Sequence, residues 1–444
     1  MAEEADLMEK TEVSEKQKKM MILGASALQV PAIEKAKELG YRVILVDYDE
    51  NAVGFALADE KLVVSTLDQE EVYRQALIYE PDVVITSTSD GPVRTAAYVN
   101  EKLGKRPDLS YENSLCATIK DKMRERLKKC GVPIPDYYVT VDFEAFSDAV
   151  DRLDGHCIVK PADNAGSRGV MLLECEALKM SKQEQKRRLS AYAEQLLQLK
   201  QKTYEYSKSN SRNGTVLVEE YMQGPEVSVE AIVVEGEPHI LSITDKYITP
   251  LPYFVELAHC EPSQLDGETQ EQIRQVAVQA IKAIGIGNAP AHVEIKVTEE
   301  GPKVVELAAR LGGDFITSKL VPLSTGIDMV GASVLLATGE KPDLTPKRQR
   351  GAAIHFIHAP EEAQGVLAGI TVPESLYGEE GVEEIVIYKK TGDTVCGTHS
   401  SNDRLGHVIT VGEAAEEAMK RGKQILSQIR VEITLVEEKT EKEK

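Results

Sequence analysis

Short apolar runs alternate with helix-like segments between residues 19 and 113, and this alternation restricts the fold more than any other feature of the chain. MMILGAS, from residue 20, and YRVILVDYDE, from residue 41, are typical of buried strands, and VPAIEKAKELG between them has apolar positions at helical spacing. EKLVVST, EEVYRQALIYE and PDVVITSTSD repeat the alternation. Apolar strands that alternate with helices predict an open parallel α/β sheet over residues 19–113.

The first strand, turn and helix do not predict a dinucleotide site. GASALQ lacks the second and third glycines of the G-x-G-x-x-G motif, which allow a pyrophosphate to approach the backbone. The segments Gly24 to Ser26 and Ser87 to Asp90 follow strands, at the edge where open α/β sheets usually bind ligands. They are equally typical of plain connecting turns.

Composition and charge exclude several classes of function. The formal net charge is −21, from 73 acidic against 52 basic residues. A surface of that sign repels phosphate backbones and anionic lipids, so we expect neither a nucleic-acid nor a membrane partner. No apolar run approaches the roughly 18 residues of a membrane helix, and the acidic N-terminus is unlike a signal peptide. The six cysteines form no C-x-x-C pair. These features predict a cytoplasmic protein with free thiols.

The pattern changes near residue 114. An amphipathic helix and several strand-like segments with hairpin turns follow, including EVSVEAIVV, HILSITDKYI and PAHVEIKVTEEGPKVVELA. Residues 177–213 are polar and helix-permissive, which predicts a helical insertion between two strands. The predicted domains are a mobile charged tail (1–18), the α/β domain (19–113), a larger body (114–340) and a C-terminal domain that ends in a charged tail (341–444).

The segment VKPADNAGSRGV has the composition of a phosphate-binding loop. Lys160 ends an apolar strand, where a lysine suits an anion better than a hydrophobic core. Gly166, Ser167 and Gly169 allow the loop to turn several backbone N–H groups toward one cluster of oxygen atoms. A lysine and a nest of amides together bind polyphosphates. A simple hairpin turn, with Lys160 reaching solvent, is the alternative.

Two glutamates lie on neighbouring predicted strands of AHVEIKVTEEGPKVVELAARLGG. Glu294 and Glu306 are separated by an even number of residues across a short turn, so we expect them side by side on one face if the turn does not shift the register. Paired carboxylates resist burial unless a cation lies between them, and Mg²⁺ binds to such pairs. Arg310 follows closely and could hold a phosphoryl or carboxylate group. Solvent-exposed glutamates and a structural arginine are the alternatives.

A third candidate cluster lies in VLVEEYMQGPEVSVE. Glu219 and Glu220 end one predicted strand, and Glu226 begins the next after a Gly-Pro turn. In a cleft these carboxylates could accept hydrogen bonds from an adenine amino group and ribose hydroxyls, while the backbone around Met222 contacts the purine edge. Solvated loop acids fit the pattern equally well.

Taken in this order, the segments resemble the ATP-grasp superfamily from about residue 20 to residue 440. The resemblance implies an α/β and α+β multidomain fold: an open parallel α/β N-terminal domain, a two-part ATP-grasp body and a small C-terminal α+β domain. It implies ATP and Mg²⁺ as cofactors. The residues implied to contact ATP are Lys122 in IKDKMRERL, Lys160, the loop residues Gly166, Ser167, Arg168 and Gly169, and the hinge residues Glu219, Glu220, Met222 and Glu226.

The resemblance also implies a metal site and an activity. Glu294 and Glu306 are the implied Mg²⁺ ligands, and Arg310 is the implied stabiliser of the transferred phosphoryl group. Where the family usually has Glu-x-Asn, this chain has Glu306, Leu307 and Ala308, which puts a second metal ion in doubt. The implied reaction is ATP-dependent ligation of a carboxylate to an amine through an acylphosphate.

Within the superfamily, LGGDFITSKLVPLSTGIDMV and the C-terminal YKKTGDTVCGTHSSNDRLGHVITVGE are most similar to L-amino-acid (dipeptide) ligases and related carboxylate-amine ligases. The implied partners are therefore small-molecule carboxylate and amine substrates, amino acids in the first place. A biotin-carboxylase-like enzyme and a nucleotide-binding regulatory protein without turnover stay open as alternatives. The resemblance is compatible with a homodimer through the first domain and does not fix the oligomeric state.

Overall fold

The structure is a computed structural model that describes residues 17–105, 109–164, 166, 168–174, 189–251, 253–361 and 363–435. The chain divides into two compact units, Met1–Pro107 and Asp108–Lys444. The predicted tail at 1–18 lies almost wholly outside the described residues, as do the first residues of the predicted insertion at 177–213.

The first unit contains the parallel sheet that the sequence predicts. All pairs in it are parallel, in the order β3-β2-β1-β4. Residues Met20 to Leu23 and Val43 to Val46 are wholly buried because helices cover the sheet. The described strands and helices of this unit are β1 (Lys19–Leu23), β2 (Arg42–Asp47), β3 (Glu60–Val63), β4 (Val83–Ile85), α1 (Val30–Glu38), α2 (Gln69–Tyr79) and α3 (Asp90–Lys102).

The second unit begins with helices and a small antiparallel sheet in the order β5-β8-β6-β7. Side chains alternate across β6: Cys157 and Val159 pack against Phe146 in a buried core, so Ile158 and Lys160 point to the opposite face. The elements are α4 (Tyr111–Cys116), α5 (Lys120–Lys129), β5 (Tyr137–Thr140), α6 (Phe143–Arg152), β6 (His156–Pro161), β7 (Met171–Glu174), α7 (Leu189–Ser209) and β8 (Val216–Glu220).

A large antiparallel sheet forms the rest of the body, in the order β13-β12-β9-β10-β11-β14-β18-β16. One face packs against a long helix, which begins at the N-cap Asp266 and ends at Gly285 in the left-handed conformation. The elements are β9 (Glu226–Val234), β10 (Glu237–Ile248), β11 (Glu256–Glu261), α8 (Gly267–Ile284), β12 (Ala289–Thr298), β13 (Gly301–Ala308), α9 (Val321–Thr325), α10 (Met329–Ala337), β14 (Gly351–Ile357), β16 (Val382–Ile387) and β18 (Gly406–Gly412).

The C-terminal strands do not form a wholly separate body. β14, β18 and β16 continue the large sheet through the pairing of β11 with β14. A three-stranded sheet of β15 (Gln364–Thr371), β17 (Thr394–Cys396) and β19 (Arg430–Leu435), and the helix α11 (Ala415–Leu426), complete this part. Within the described ranges no single helix is long and apolar enough to cross a membrane; Ile316–Thr325 and Met329–Ala337 reach that length and hydropathy only together, across a 115° bend.

Candidate active site

A cleft of about 870 Å³, counted with the space open to solvent, lies in the second unit and is lined by both of its larger sheets. The small sheet contributes side chains of β6 and β8, and the large sheet contributes side chains of β9, β10, β12 and β13. Ten charged residues line the cleft, from all six of these strands, from α5 and from the loop that carries Arg168. They are Lys120, Lys160, Arg168, Glu219, Glu220, Glu226, Lys246, Glu294, Lys296 and Glu306.

Lys160 is held at the cleft by a buried carboxylate. Its Nζ lies 2.7 Å from Glu219 Oε2, and Arg124 donates from Nε to Glu219 Oε1 at 2.8 Å and from Nη2 to Oε2 at 3.1 Å. Burial alone would raise the pKa of Glu219, but the charges of Arg124 and Lys160 lower it to about 2. Burial lowers the pKa of Lys160, and Glu219 opposes that shift. Both carboxylate oxygens of Glu219 accept hydrogen bonds from these cations, which orients Lys160, and the expected contact of Glu219 with ribose or adenine stays a prediction.

The lysine that α5 directs into the cleft is Lys120, whereas the sequence analysis expected Lys122. Lys120 is buried, and its Nζ donates to Glu306 Oε1 at 2.8 Å and to the Asn164 carbonyl at 2.7 Å. Lys122 is exposed and does not line the cleft. The helical period is the reason: Lys120 and Arg124 are four residues apart on the inward face, and Lys122 lies about 200° round the helix from Lys120.

Glu294 and Glu306 are direct cross-strand partners, and a β-bulge makes them so. The hairpin of β12 and β13 pairs Thr298 with Gly301 and Ile295 with Val304, a register that would place Glu294 opposite Val305. The register shifts at Val305, so Glu294 pairs with Glu306. The even separation invoked in the sequence analysis was therefore insufficient: without the extra residue, the two carboxylates would point to opposite faces.

Lys246, which lines the cleft, contacts three carboxylates. Its Nζ lies 2.8 Å from Glu226 Oε1, 3.3 Å from Glu294 Oε1 and 3.4 Å from Glu256 Oε1. Burial alone would lower the pKa of Lys246, but these three charges raise it well above its ordinary value. Lys296 also contacts Glu226, at 3.1 Å. Glu226 is thus an anchor for two lysines.

The predicted hinge between β8 and β9 lies at the edge of the cleft. Glu220, Tyr221 and Met222 line it, and Lys303 contacts Glu220 at 3.1 Å. Gly224 has a φ of +129°, and a Cβ there would collide with the carbonyl oxygen of Val297. The hinge therefore requires glycine at this position because its backbone lies against β12.

The remaining predicted site residues divide into three groups. Gly166 and Arg168 line the cleft with the residues already described. Gly169 and Arg310 do not; Arg310 follows β13 and donates from Nη1 to the Leu311 carbonyl at 2.8 Å. Ser167 lies outside the described residues. The structure therefore brings nine of the predicted side chains or loop positions to one cleft: Lys160, Gly166, Arg168, Glu219, Glu220, Met222, Glu226, Glu294 and Glu306.

The paired carboxylates fit a magnesium ion that arrives with a polyphosphate. Glu294 and Glu306 supply oxygen donors from adjacent strands of one face. In the part of the chain that the structure describes, no group of three or more His, Cys, Asp or Glu side chains is arranged to hold a metal. Mg²⁺ binds through one or two carboxylates and completes its shell with water and phosphate oxygens, which suits this donor set.

Sequence reasoning missed Lys120, Arg124, Lys246, Lys296 and Lys303. Lys120 and Arg124 share a helix face with the buried Leu127, and that spacing was a usable signal. Lys296 follows His292 and Glu294 at strand alternation, which was a second signal. No local pattern distinguishes Lys246 from an exposed strand lysine.

Two stretches of the chain match known protein families. Residues 153–318 match the ATP-grasp domain family, and residues 355–434 match the family described as L-amino acid ligase C-terminal domain 2. A protein of Sinorhizobium fredii described as uncharacterized is 27% identical over 299 residues, which cover 67% of this chain and 58% of that protein. The alanine–anticapsin ligase of Bacillus subtilis is 28% identical over 257 residues, which cover 55% of this chain and 51% of the ligase. The chain thus spans about half the length of these curated relatives.

Solved structures share the fold across nearly the whole chain. The L-amino acid ligase from Bacillus licheniformis superposes with a TM-score of 0.74 at 21% identity, covering 94% of this chain and 100% of that one. At that identity the likeness establishes the fold alone, and it confirms the predicted arrangement of a parallel N-terminal sheet, an antiparallel body and a small C-terminal part. Residues 153–318 therefore match an ATP-grasp domain, and the wider fold around them is shared with this ligase.

Proposed function

We propose that the protein is an ATP- and Mg²⁺-dependent carboxylate-amine ligase that joins small molecules, amino acids among them, through an acylphosphate. The observation that carries the proposal is the meeting of two phosphate-type lysines, Lys120 and Lys160, with the carboxylate pair Glu294 and Glu306 in one cleft. Phosphoryl transfer needs positioning and neutralisation of charge rather than a protein nucleophile, and this cleft supplies both.

The proposed reaction has two displacements. An oxygen of the substrate carboxylate attacks the γ-phosphorus of ATP, the bond to the β-phosphate oxygen breaks, and ADP leaves. The amine of the second substrate then attacks the acyl carbon, inorganic phosphate leaves, and the nitrogen loses a proton as the amide forms. Lys160, oriented by Glu219, and Lys120 neutralise the charge of the phosphates during the first displacement.

The other residues of the cleft have positioning roles in this proposal. Glu294 and Glu306 would hold the magnesium ion, which supplies Lewis-acid neutralisation of the phosphate oxygens. The loop with Gly166 and Arg168 covers the phosphates, and Met222 contacts the base. Arg310 keeps its implied role beside the transferred phosphoryl group, although it does not line the cleft.

Amide ligation is favoured over carboxylation by the C-terminal part of the chain. Residues 355–434 match a domain described for L-amino acid ligases. Biotin carboxylase domains share the fold, with a TM-score of 0.71 at 17% identity for one of them, but at that identity they carry no function to this chain. A regulatory ATP-binding protein without turnover stays as the second candidate, since Ala308 replaces the amide expected near the metal.

Release of phosphate from ATP tests the proposal. Purified protein is incubated with ATP and Mg²⁺ and with pools of amino acids or small carboxylates, and bicarbonate is added in a separate reaction. We expect phosphate release that requires amino acids. A product whose mass equals that of the two joined substrates less one water should form with it. Release that requires bicarbonate would instead support a carboxylase, and binding of ATP without release in any reaction would support the regulatory candidate.

A further inference from the structure

An arginine from the C-terminal part of the chain joins two carboxylates near the cleft. Arg404 precedes β18 and is only 4% exposed. Its Nη1 donates to Asp314 Oδ1 at 2.7 Å, and its Nη2 donates to Asp314 Oδ2 at 2.9 Å and to Glu256 Oε2 at 2.8 Å. The guanidinium lies 3.7 Å from the ring centroid of Phe356. The planar fork and the aromatic ring fix the orientation of the side chain.

Glu256 extends this cluster into the nucleotide cleft. Its other oxygen, Oε1, lies 3.4 Å from the Nζ of Lys246, which also contacts Glu226 and Glu294. The contacts therefore run from Asp314 through Arg404 and Glu256 to Lys246, without a gap longer than 3.4 Å. Lys246 lines the cleft.

The loop that carries Arg404 also contacts the segment that precedes β11. His399 stacks on Tyr253 with ring centroids 4.3 Å apart, and Ser401 donates to Glu256 Oε2 at 3.3 Å. Phe254, between these two contacts, lines the cleft. A hydrogen-bonded turn, in which Asp403 accepts from the backbone N–H and the hydroxyl of Ser400, fixes the loop itself.

Asp314, the other carboxylate that Arg404 contacts, lies in a loop with a constrained backbone. Asp314 and the next residue, Phe315, both have a positive φ, of 51° and 61°. Two consecutive non-glycine residues in that region persist only when their surroundings hold them. Asp314 is held by Arg404 on one side and by His259, at 3.2 Å, on the other.

We propose that Arg404 is a positioning residue through which the C-terminal part of the chain sets the charge and geometry of the nucleotide cleft. With Arg404 present, Glu256 is shared between two cations, and Lys246 is free to remain on Glu226 and Glu294. Without it, Glu256 is a half-buried carboxylate that has lost its guanidinium partner and attracts Lys246 away from both. The inference rests on the proposed function, because it takes the cleft as the nucleotide site.

Suppression by a second substitution distinguishes positioning from a general structural role. Calorimetric titration of the full-length protein with ADP and Mg²⁺ should give binding about ten-fold weaker for Arg404→Met than for wild type. The double variant Arg404→Met/Glu256→Gln should bind within about two-fold of wild type, because the Glu256 charge that would attract Lys246 is gone. Arg430→Met is the matched control: it removes an exposed arginine from the same part of the chain and should not change binding.

Each outcome decides between the alternatives. The inference would be overturned if Arg404→Met bound ADP as tightly as wild type. It would also be overturned if the double variant bound ADP as weakly as Arg404→Met. If Arg404→Met does not fold, Arg404→Lys keeps the charge but not the fork, and the same comparison with and without Glu256→Gln applies. Wild-type protein that binds no nucleotide would overturn the proposed function and this inference together, whereas the other adverse results leave the proposed function standing.

Discussion

Replacement of Lys160 by methionine tests how much its buried charge contributes to nucleotide binding. Methionine keeps most of the side-chain volume and removes only the ammonium group. Glu219 then loses its 2.7 Å contact with Nζ but keeps both donors of Arg124. Because the remaining carboxylate is still paired, we expect folded protein with a stability loss of about 1 to 3 kcal/mol.

The expected loss of nucleotide affinity follows from the lost phosphate contact. A hydrogen bond between charged groups contributes about 1.5 to 3 kcal/mol. Coulomb's law gives a comparable upper figure of about 4 kcal/mol for two unit charges 4 Å apart at an effective dielectric constant near 20. At about 1.4 kcal/mol for each factor of ten, the dissociation constant for ATP should rise about 10- to 150-fold.

The assay is calorimetric titration of ATP with Mg²⁺ into wild type and Lys160→Met, with thermal unfolding measured in parallel. The unfolding curve separates a binding effect from a folding effect. If Lys160→Met is folded and binds ATP within two-fold of wild type, Lys160 does not contact the phosphates, and the assignment of this cleft is incorrect.

Three further substitutions, with Lys122→Met as the control for one of them, test the cleft and the buried charges. Lys120→Met should weaken ATP binding about ten-fold or more, because Lys120 lines the cleft, whereas Lys122→Met should leave the dissociation constant unchanged. Glu306→Gln should raise the Mg²⁺ concentration needed for half-maximal phosphate release by about ten-fold or more, because one carboxylate ligand is lost. Glu261→Gln should lose less stability than wild type between pH 5 and pH 8, measured by denaturant unfolding, because burial beside Glu230 raises the pKa of Glu261 from 4.5 to about 8.

The sign of the Glu261 effect follows from proton linkage. A carboxyl group with a raised pKa in the folded state stabilises the fold fully below its unfolded pKa of 4.5. That stabilisation is lost as the pH rises toward 8, because the unfolded chain releases the proton first. Parallel pH profiles for Glu261→Gln and wild type would contradict this reasoning. Equal ATP affinities for Lys120→Met and Lys122→Met, or an unchanged Mg²⁺ requirement in Glu306→Gln, would contradict the other two assignments.

The parts of the fold that sequence predicted were those with local signals. β1 and β2 are apolar on both faces, which only a covered parallel strand needs. Lys160 was recognisable because a lysine that ends a buried strand requires an anionic partner. The sequence predicted that Glu294 and Glu306 lie side by side, but it did not predict the bulge at Val305 that places them so. No local pattern indicates that bulge.

The residues that sequence did not predict are positioned by distant contacts. Arg404 and Glu256 are 148 residues apart, and Arg124 and Glu219 are 95 apart. Such pairs are set by the packing of whole strands and helices, so neither partner carries a signal in its own neighbourhood. The order of the motif indicates a lysine in this helix, and only the phase of the helix separates the inward Lys120 from the outward Lys122.

The pairing of β11 with β14 joins β14, β18 and β16 of the C-terminal part to the large sheet of the body. A chain cut after Glu340 would lose β14 and leave Glu256–Glu261 as an open edge with unpaired N–H and C=O groups. Open edges of this kind recruit strands from other molecules, so the shortened chain would tend to aggregate. We therefore expect truncated or fused chains that lack residues 341–444 to be less soluble, whatever their catalytic activity.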